Sequence, residues 1–268
     1  MPIALITGSS SGIGKVTAKL FQAKGWQVIA TMRSPEKEEE LKQVSNVEIK
    51  KLDVTNSTQI EQTVAEIVDK YQRVDVLINN AGYGLIGPFE SATNSEIEQQ
   101  FQTNVFGLMH MCRAVLPAMR RQKNGTIINI SSMLGKIALP FHSLYTASKF
   151  AVEGFSEALQ YEIKQFGIRI KLVEPGSTST DFFSRSLITT DIHKVPEYKI
   201  LYEQLMKNSE SWNDADPSIV AQVIYQAATD NKQKLRYPVG KDSKRLLRLR
   251  HFIPEQLWHY LMDKFLLH

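Results

Sequence analysis

This sequence of 268 residues lacks several features that would mark particular classes of protein. Its single cysteine, Cys112, excludes an intramolecular disulfide, and its apolar neighbours indicate that the thiol packs within a helix. The six histidines are scattered, so no cysteine and histidine cluster has metal-ligand spacing, and we predict no metal site. No apolar run reaches the length of a membrane span and no secretion signal opens the chain, so we expect a cytoplasmic protein.

The composition is that of one globular domain with little excess charge. A hydrophobic content of 43% is sufficient for a large core, and a formal net charge of +4 is too small to imply a nucleic-acid partner. The chain has no repeats or low-complexity stretches. We therefore predict a main domain over residues 1–240 and a basic amphipathic helical extension over residues 241–268.

A glycine-rich loop lies between the first predicted strand and the first predicted helix. The buried strand Ile3–Thr7 leads into Gly8–Gly14, and apolar residues with helical spacing follow. Glycines permit positive φ and the close approach of a diphosphate, to which a helix N-terminus offers unpaired N–H groups. A glycine run alone is often only a turn. In this position it predicts a dinucleotide site that includes Gly8, Ser11, Gly12, Ile13 and Gly14.

Strands and helices alternate along the rest of the chain. Further strands are predicted at Gln27–Thr31, Val47–Leu52, Val74–Asn79, Thr126–Ser131, Ile168–Glu174 and Leu235–Val239, and longer helices at Ser57–Tyr71, Ser95–Gln122 and Leu144–Phe166. Right-handed crossovers between such elements build a doubly wound parallel sheet with helices on both faces. The predicted fold class is therefore α/β, a single-domain Rossmann-type fold with ligands at the carboxyl ends of its strands.

Tyr145 and Lys149 stand four residues apart in a predicted helix, so their side chains project from one face. A nearby cation stabilises a phenolate, and we expect Lys149 to lower the pKa of Tyr145 from about 10 towards neutrality. The alternative is a half-buried ring beside a solvated charge. Ser131 and Ser132 end the strand upstream. Turn chemistry is favoured for Ser131, and a catalytic hydroxyl for Ser132.

Taken together, the motifs resemble the short-chain dehydrogenase/reductase family over nearly the whole chain. They are Thr7–Gly14, Asp53–Val54, Asn79–Gly82, Asn104, Ser132, Tyr145 with Lys149, and Pro175–Gly176. Within the family, the sequence looks most like the single-domain hydroxysteroid and retinol dehydrogenases. The resemblance implies an oxidoreductase that transfers hydride between a nicotinamide cofactor and a carbonyl or alcohol.

The resemblance also implies roles for residues that follow several strands. Asp53, with the Val54 backbone beside it, is expected to accept a hydrogen bond from adenine; the alternative is a cap for the next helix. The expected contacts to the adenosine ribose are Asn80, Ala81 and Gly82.

The nicotinamide end has its own expected contacts, which are Pro175, Gly176, Thr178 and Thr180. At Thr178 the chain departs from the branched aliphatic residue usual in the family. The departure preserves a backbone contact and leaves the polarity of that part of the pocket open.

The end of the second strand bears on the choice of cofactor. NAD sites usually place a carboxylate there, whereas this chain has Met32 followed by Arg33. The Arg33 guanidinium can hold a 2′-phosphate, with a hydroxyl bond from Ser11; the alternative is a solvated arginine. We therefore predict NADP(H) in preference to NAD(H), and we expect Lys15 to face solvent.

The resemblance implies a mechanism in which Ser132 and Tyr145 bind the substrate oxygen and Tyr145 transfers the proton. Lys149 then stabilises the phenolate and bonds the nicotinamide ribose. Asn104 positions a water on Lys149, or is a satisfied helix asparagine. The alternative function is a non-catalytic NADP(H)-responsive binding or regulatory protein, against which the presence of Ser132, Tyr145 and Lys149 argues.

The expected partner is a small-molecule carbonyl or alcohol. The predicted substrate lid, about residues 180–217, is rich in aromatic and aliphatic side chains, which favours a hydrophobic ketone, aldehyde or secondary alcohol. The extension 241–268 either covers the pocket or a subunit contact, which we favour, or makes weak contact with a membrane surface. Whether the chain forms a homo-oligomer is left open, because the extension could cover a subunit contact.

Overall fold

A computed structural model of the chain describes residues 1–177, 187–209 and 216–267. In chain order its elements are β1 (Ile3–Thr7), α1 (Gly12–Ala23), β2 (Gln27–Met32), β3 (Val47–Lys51), α2 (Ser57–Tyr71), β4 (Val76–Asn79), β5 (Gly84–Ile86), α3 (Asn94–Phe101), α4 (Leu108–Gln122), β6 (Gly125–Ile130), α5 (Ser143–Ile163), β7 (Ile168–Pro175), β8 (Leu187–Thr189), α6 (Lys199–Ser209), α7 (Pro217–Thr229), β9 (Arg236–Val239), α8 (Lys241–Phe252) and α9 (Glu255–Leu267). Each predicted strand is present close to its predicted bounds.

The main sheet has seven parallel strands in the order β3-β2-β1-β4-β6-β7-β9. Leu5 of β1 is in register with Ile29 of β2 on one side and Leu77 of β4 on the other. The strand order therefore reverses at β1, and in such sheets the crevice at the carboxyl end of the reversal point binds ligands. The predicted fold class is confirmed.

The core forms two layers, because alternate residues of each strand point to opposite faces of the sheet. Ile3 and Leu5 pack with residues of α2, α4 and α5. Ala4 and Ile6 pack with residues of α1 and α7. Strands buried on both faces are typical of a parallel sheet, and they carry the near-continuous apolar runs that identified them. Cys112 is buried in the first layer, which confirms its interpretation as helix packing.

The predicted helix Ser95–Gln122 is divided by a π-helical turn at Gln102–Gly107. A Cβ at Gly107 would lie 2.7 Å from the Val54 carbonyl oxygen, so this turn approaches the loop after β3 closely. A second sheet, in which β5 pairs with β8, was not predicted. Both strands have three residues, too few for a period-2 pattern to be recognised.

Residues 241–267 form α8 and α9, which meet at Ile253 and Pro254. Trp258 of α9 is buried against Met133, Leu134 and Ile137, which follow β6. Within the described ranges, the chain has no helix of the length and apolar character needed to span a bilayer.

Candidate active site

A cavity of about 470 Å³ opens at the carboxyl ends of the central strands. The predicted site residues on its wall are Gly8, Ser11, Gly12, Ile13, Arg33, Asp53, Val54, Asn80, Ala81, Gly82, Ser132, Tyr145, Lys149, Pro175 and Gly176. Strand ends far apart in the sequence thus supply one wall, because parallel strands end at the same edge of the sheet.

The loop after β1 is held close to the first helix. Gly8 has a φ of +68°, a conformation that side chains disfavour, and α1 begins at Gly12. A Cβ at Gly14 would lie 2.3 Å from the Gly8 carbonyl oxygen, so only glycine fits there. Gly14 itself is buried behind the loop. This close approach leaves the first N–H groups of α1 at the cavity, as a diphosphate site requires.

Asn80 ties the glycine loop to the end of β4. Its Nδ2 donates to the carbonyl oxygens of Thr7 and Gly8, both at 3.0 Å. Thr7 Oγ1 accepts hydrogen bonds from the N–H groups of Asn80 and Ala81, both at 3.1 Å. Sequence reasoning assigned no role to the Thr7 side chain, because nothing local marks a hydroxyl that bonds across the sheet.

Asp53 lies on the cavity wall and does not cap α2. The cap is Asn56, whose Oδ1 accepts from the Gln59 N–H at 2.9 Å. Asp53 Oδ1 instead accepts from the N–H and hydroxyl of Thr55, at 3.0 and 2.8 Å. The capping alternative is therefore wrong, and Asp53 is positioned by its own turn.

The end of β2 presents a cation to the cavity. Met32 is buried, and Arg33 is exposed where it lines the wall. Lys15 lies off that wall and forms an ion pair with Glu38, with Nζ 3.0 Å from Oε2. Arg33 is thus the basic side chain at the position where a ribose 2′-phosphate would be expected.

Ser132, Tyr145 and Lys149 lie together at the carboxyl end of β6. Ser132 lies close enough to Tyr145 to affect the pKa of its phenol, and Ser132 Oγ accepts from the Leu134 N–H at 3.1 Å. Ser131 Oγ has no hydrogen-bond partner among the described residues, so the turn chemistry predicted for Ser131 is wrong. Lys149 Nζ lies 5.6 Å from the centre of the Tyr145 ring and donates to the Ile130 carbonyl oxygen at 2.8 Å. Side chains from α5 and from the end of β6 therefore form one group.

Burial decides the pKa values of this group. It raises the pKa of Tyr145 to about 12, although the nearby Ser132 hydroxyl acts to lower it. It lowers the pKa of Lys149 to about 8, against the attraction of Glu153. The expectation that Lys149 brings the Tyr145 pKa towards neutrality is therefore wrong for this structure, because helical spacing does not reveal how far both groups are desolvated. At neutral pH the phenol keeps its proton.

Asn104 lies in the π-helical turn, behind the cavity. Its Oδ1 accepts from the Tyr83 N–H at 3.0 Å, and its Nδ2 donates to the Tyr83 carbonyl oxygen at 2.8 Å and to Ser148 Oγ at 3.2 Å. Asn104 thereby connects the chain after β4 to α5 at Ser148, the residue before Lys149. Its role in positioning a water stays a prediction.

A side chain of α8 holds the segment after β7 in place. Asp242 Oδ2 accepts from the Ser177 N–H at 3.1 Å, and a Cβ at Gly176 would lie 2.4 Å from the same oxygen. Asp242 was not singled out in the sequence, since its partner is more than sixty residues away. Thr178 and Thr180 lie outside the described residues.

The rest of the cavity wall combines apolar and polar side chains. Its aliphatic and thioether side chains are Met32, Leu52, Ile86, Ile130, Met133, Leu134, Leu139, Leu187, Ile188 and Met206, and its polar ones include Tyr83, Gln99, Thr103 and Ser131. His142 also lines it; burial lowers the pKa of His142, and its Nδ1 is 2.7 Å from the Pro140 carbonyl oxygen. No sequence signal identified His142. Among the described residues, no group of three or more acidic, histidine or cysteine side chains could hold a metal ion.

A sequence profile described as short chain dehydrogenase matches residues 2–190. The chain belongs to the short-chain dehydrogenase family. As a member it is an oxidoreductase, and the resemblance inferred from its motifs is confirmed. This chain is 37% identical over 266 residues to 3-ketodihydrosphingosine reductase of Bacteroides thetaiotaomicron, and the match covers 98% of this chain and 97% of that one. It is 39% identical over 201 residues to human retinol dehydrogenase 8, with 72% and 64% covered.

Solved short-chain dehydrogenases have the same fold. A crystal structure of a short-chain dehydrogenase from Streptomyces avermitilis superposes with a TM-score of 0.82 at 32% identity, covering 98% of this chain and 97% of that one. The structure of ElxO with NADP bound superposes with a TM-score of 0.74 at 29% identity, covering 88% and 97%.

Proposed function

We propose that the protein is an NADP(H)-dependent oxidoreductase that interconverts a hydrophobic carbonyl compound and its alcohol. The observation that carries the proposal is that Ser132, Tyr145 and Lys149 lie together on the wall of the cavity that also contains the glycine loop. A proton donor and a dinucleotide cradle therefore open into one space. This arrangement suits hydride transfer coupled to proton transfer.

The residues on the wall fit NADP(H). The gap between Gly8 and Gly14, which a Cβ would fill, and the N-terminus of α1 suit the diphosphate. Arg33 suits the 2′-phosphate, and Asp53 the adenine. The solved ElxO structure with NADP bound supports this choice. When bound, NADPH supplies the hydride that adds to a substrate carbonyl carbon.

The chain's own residues handle the oxygen and its proton. Ser132 donates a hydrogen bond that polarises the carbonyl. Tyr145, protonated at neutral pH because burial raises its pKa to about 12, donates its proton to the oxygen as negative charge develops there. The ammonium group of Lys149 stabilises the phenolate that remains. In alcohol oxidation the same residues act in the reverse order, with the phenolate as base.

The apolar part of the wall supports a lipophilic substrate. Leu134, Leu139 and Ile188 flank the space in front of Tyr145, and Trp258 of α9 packs on the same cluster that includes the Tyr145 ring. This packing places α9 behind the part of the cavity wall that Met133 and Leu134 form. The two relatives are named for 3-ketodihydrosphingosine and for retinol, both lipophilic compounds, which supports the same class. Contact with a membrane surface and homo-oligomerisation stay predictions.

The direct test is a panel of ketones, aldehydes and alcohols, from short aliphatic to long-chain and steroid-sized compounds, assayed by NADPH absorbance. We expect turnover, with kcat/KM rising as apolar surface is added to the substrate. Binding of NADPH without turnover of any compound would instead favour the non-catalytic, NADP(H)-responsive binding protein. Turnover that is fastest for small polar compounds would contradict the lipophilic class.

Replacing Arg33 with alanine is expected to raise KM for NADPH about tenfold and to leave KM for NADH unchanged. A charge-assisted hydrogen bond contributes roughly 1.5–3 kcal/mol, and about 1.4 kcal/mol corresponds to a factor of ten. Steady-state kinetics with both cofactors measures the effect. Lys37→Ala, which removes an exposed cation close by and off the cavity wall, is the matched control. Equal losses with both cofactors would remove the phosphate-binding role from Arg33.

Carbonyl reduction is expected to slow as the pH rises through about 8, the pKa to which burial lowers Lys149. Below that pKa Lys149 is a cation and stabilises the phenolate; above it the side chain is neutral and the stabilisation is lost. The measurement is kcat for reduction against pH at saturating NADPH and substrate. NADPH binding, followed by fluorescence over the same range, controls for loss of cofactor. A kcat that stays level well above this pKa would refute the assignment.

A further inference from the structure

Two buried carboxyl groups lie behind the catalytic group. Glu153 follows Lys149 by one turn of α5, and Glu174 lies in β7; the two side chains are 2% and 1% exposed. Arg236 of β9 faces both, with Nε 2.9 Å from Glu153 Oε2 and 3.6 Å from Glu174 Oε1. A carboxyl pair of this kind is costly unless its charge is compensated, so its place next to Lys149 calls for a physical account.

Three polar oxygens meet here without a hydrogen-bond partner among the described residues. They are Ser131 Oγ, Glu153 Oε1 and Glu174 Oε1. A Cβ at Gly135 would lie 2.7 Å from Ser131 Oγ and 2.9 Å from Glu153 Cγ, which places Ser131 beside Glu153, and Arg236 Nε lies within 3.6 Å of an oxygen of each carboxyl group. The Ser131 hydroxyl can donate one hydrogen bond, whereas two ionised carboxylates can only accept them. One proton between Glu153 and Glu174 would supply a donor between the two carboxyl groups.

The energetics agree with a single shared proton. Burial first, and then the negative charge of Glu153, raise the pKa of Glu174 to about 8, so Glu174 is the protonated member at neutral pH. Glu153 accepts a hydrogen bond from Arg236 Nε at 2.9 Å. The charge of Glu153 acts to raise the pKa of Lys149, against burial.

Charged groups face the pair from every element packed around it. From α5 come Lys149 and Glu157, the latter accepting from Arg236 Nη2 at 2.6 Å on the outer side. The turn after β6 contributes Lys136, with Nζ 3.8 Å from Glu153 Oε2, and β9 contributes Arg236. From α8, Asp242 faces the Ser177 N–H instead. Lys149 is thus the cation on the cavity side of the pair, and Arg236 and Lys136 are the cations that face its carboxylates.

We propose that Glu153 and Glu174 hold one proton between them at neutral pH and thereby set the charge of Lys149, as positioning residues for proton transfer. When the shared proton leaves to solvent, the pair gains a second negative charge, which favours retention of the proton on Lys149. The titrations of the three groups are therefore coupled. The inference rests on the proposed function of Lys149.

Glu153→Gln is expected to move the high-pH limb of the kcat profile to lower pH by up to about one unit, because it removes the negative charge that favours the Lys149 cation. Glu174, no longer beside that charge, ionises at lower pH and offsets part of the shift. Glu174→Gln keeps a neutral donor to Glu153. It should retain neutral-pH activity and shift the same limb less, in the same direction. Glu157→Gln, which removes an outer carboxylate from Arg236, is the matched control and should leave the limb in place. A role in stability alone would lower kcat at all pH values and leave the limb unmoved.

Two measurements on the full chain do not depend on turnover. Infrared spectroscopy at neutral pH should show the carbonyl band of a buried, protonated carboxyl that Glu174→Gln removes. Carbon-13 NMR of labelled lysine, with Lys149 assigned by its loss from Lys149→Met, should show its titration moved to lower pH in Glu153→Gln. If that variant does not fold, the infrared band and the Glu174→Gln profile still decide.

A band that survives in Glu174→Gln, or a Lys149 titration unmoved in Glu153→Gln, overturns the inference. If the protein shows both spectroscopic effects and reduces no carbonyl compound, the inference about the acid pair stands and the proposed function is rejected. The two ideas therefore fail separately.

Discussion

Replacement of Tyr145 with phenylalanine is expected to lower kcat for carbonyl reduction by roughly 10²–10⁴-fold, the range typical of a lost general acid. The phenol is the proton donor in the proposed mechanism, and burial keeps it protonated at neutral pH by raising its pKa to about 12. The ring remains, so packing against the apolar cluster at Met133 and Leu134 is preserved. Single-turnover kinetics with NADPH measures the chemical step directly.

NADPH affinity should change little in this variant, because the aromatic ring and Lys149, the proposed ribose contact, are retained. Tyr161→Phe makes the same chemical change at a site on the same helix that is 71% exposed, and it should behave as the parent. If Tyr145→Phe reduced carbonyls at the parental rate, the proton would have to come from elsewhere. His142 would then be the next side chain to test, since it lies on the same wall.

A Gly14→Ala variant should bind NADPH up to roughly a hundredfold more weakly. The added Cβ would lie 2.3 Å from the Gly8 carbonyl oxygen and 2.5 Å from Asn80 Nδ2, so the loop and α1 must separate. Overpacking costs about 1–3 kcal/mol, and the cost lies at the upper end here because the opposing atom is backbone and cannot rotate away. Fluorescence titration gives the affinity, and thermal unfolding gives the change in stability.

Gly154→Ala is the matched control for that change. Gly154 lies in α5 with nothing within 4 Å of an added Cβ, so the alanine fits. It should stabilise the helix by up to about 1 kcal/mol and leave NADPH binding as it was. Unchanged NADPH affinity in Gly14→Ala would show that the loop does not depend on this close approach.

The fold was accessible from the sequence because its signals are local. Strands buried on both faces require continuous apolar runs such as Ile3–Thr7, and the helix Ser57–Tyr71 was predicted with the bounds it has. The glycine loop between the first strand and helix was recognisable for the same reason. The π-helical turn at Gln102–Gly107 was not, because it depends on contact between Gly107 and Val54, far away in the chain.

The site divides in a similar way. Side chains on the cavity wall such as Arg33, Asp53 and Lys149 could be identified because they follow strand ends or helical spacing. Residues that hold them in place could not. Thr7 bonds across the sheet to Asn80, and Asp242 of α8 accepts a hydrogen bond from the Ser177 N–H, more than sixty residues earlier. No pattern within a short window reports such pairs.

For this protein, the sequence by itself determined the fold and the chemical groups of the site, because hydrophobic periodicity and motif spacing are properties of neighbouring residues. Only the tertiary structure decided how those groups ionise. Tyr145 and Lys149 have the spacing of an activated pair, yet burial moves the pKa of the phenol up to about 12 and that of the ammonium down to about 8. Desolvation depends on everything packed around a group, such as Trp258 in the cluster that includes Tyr145, and those surroundings exist only after folding.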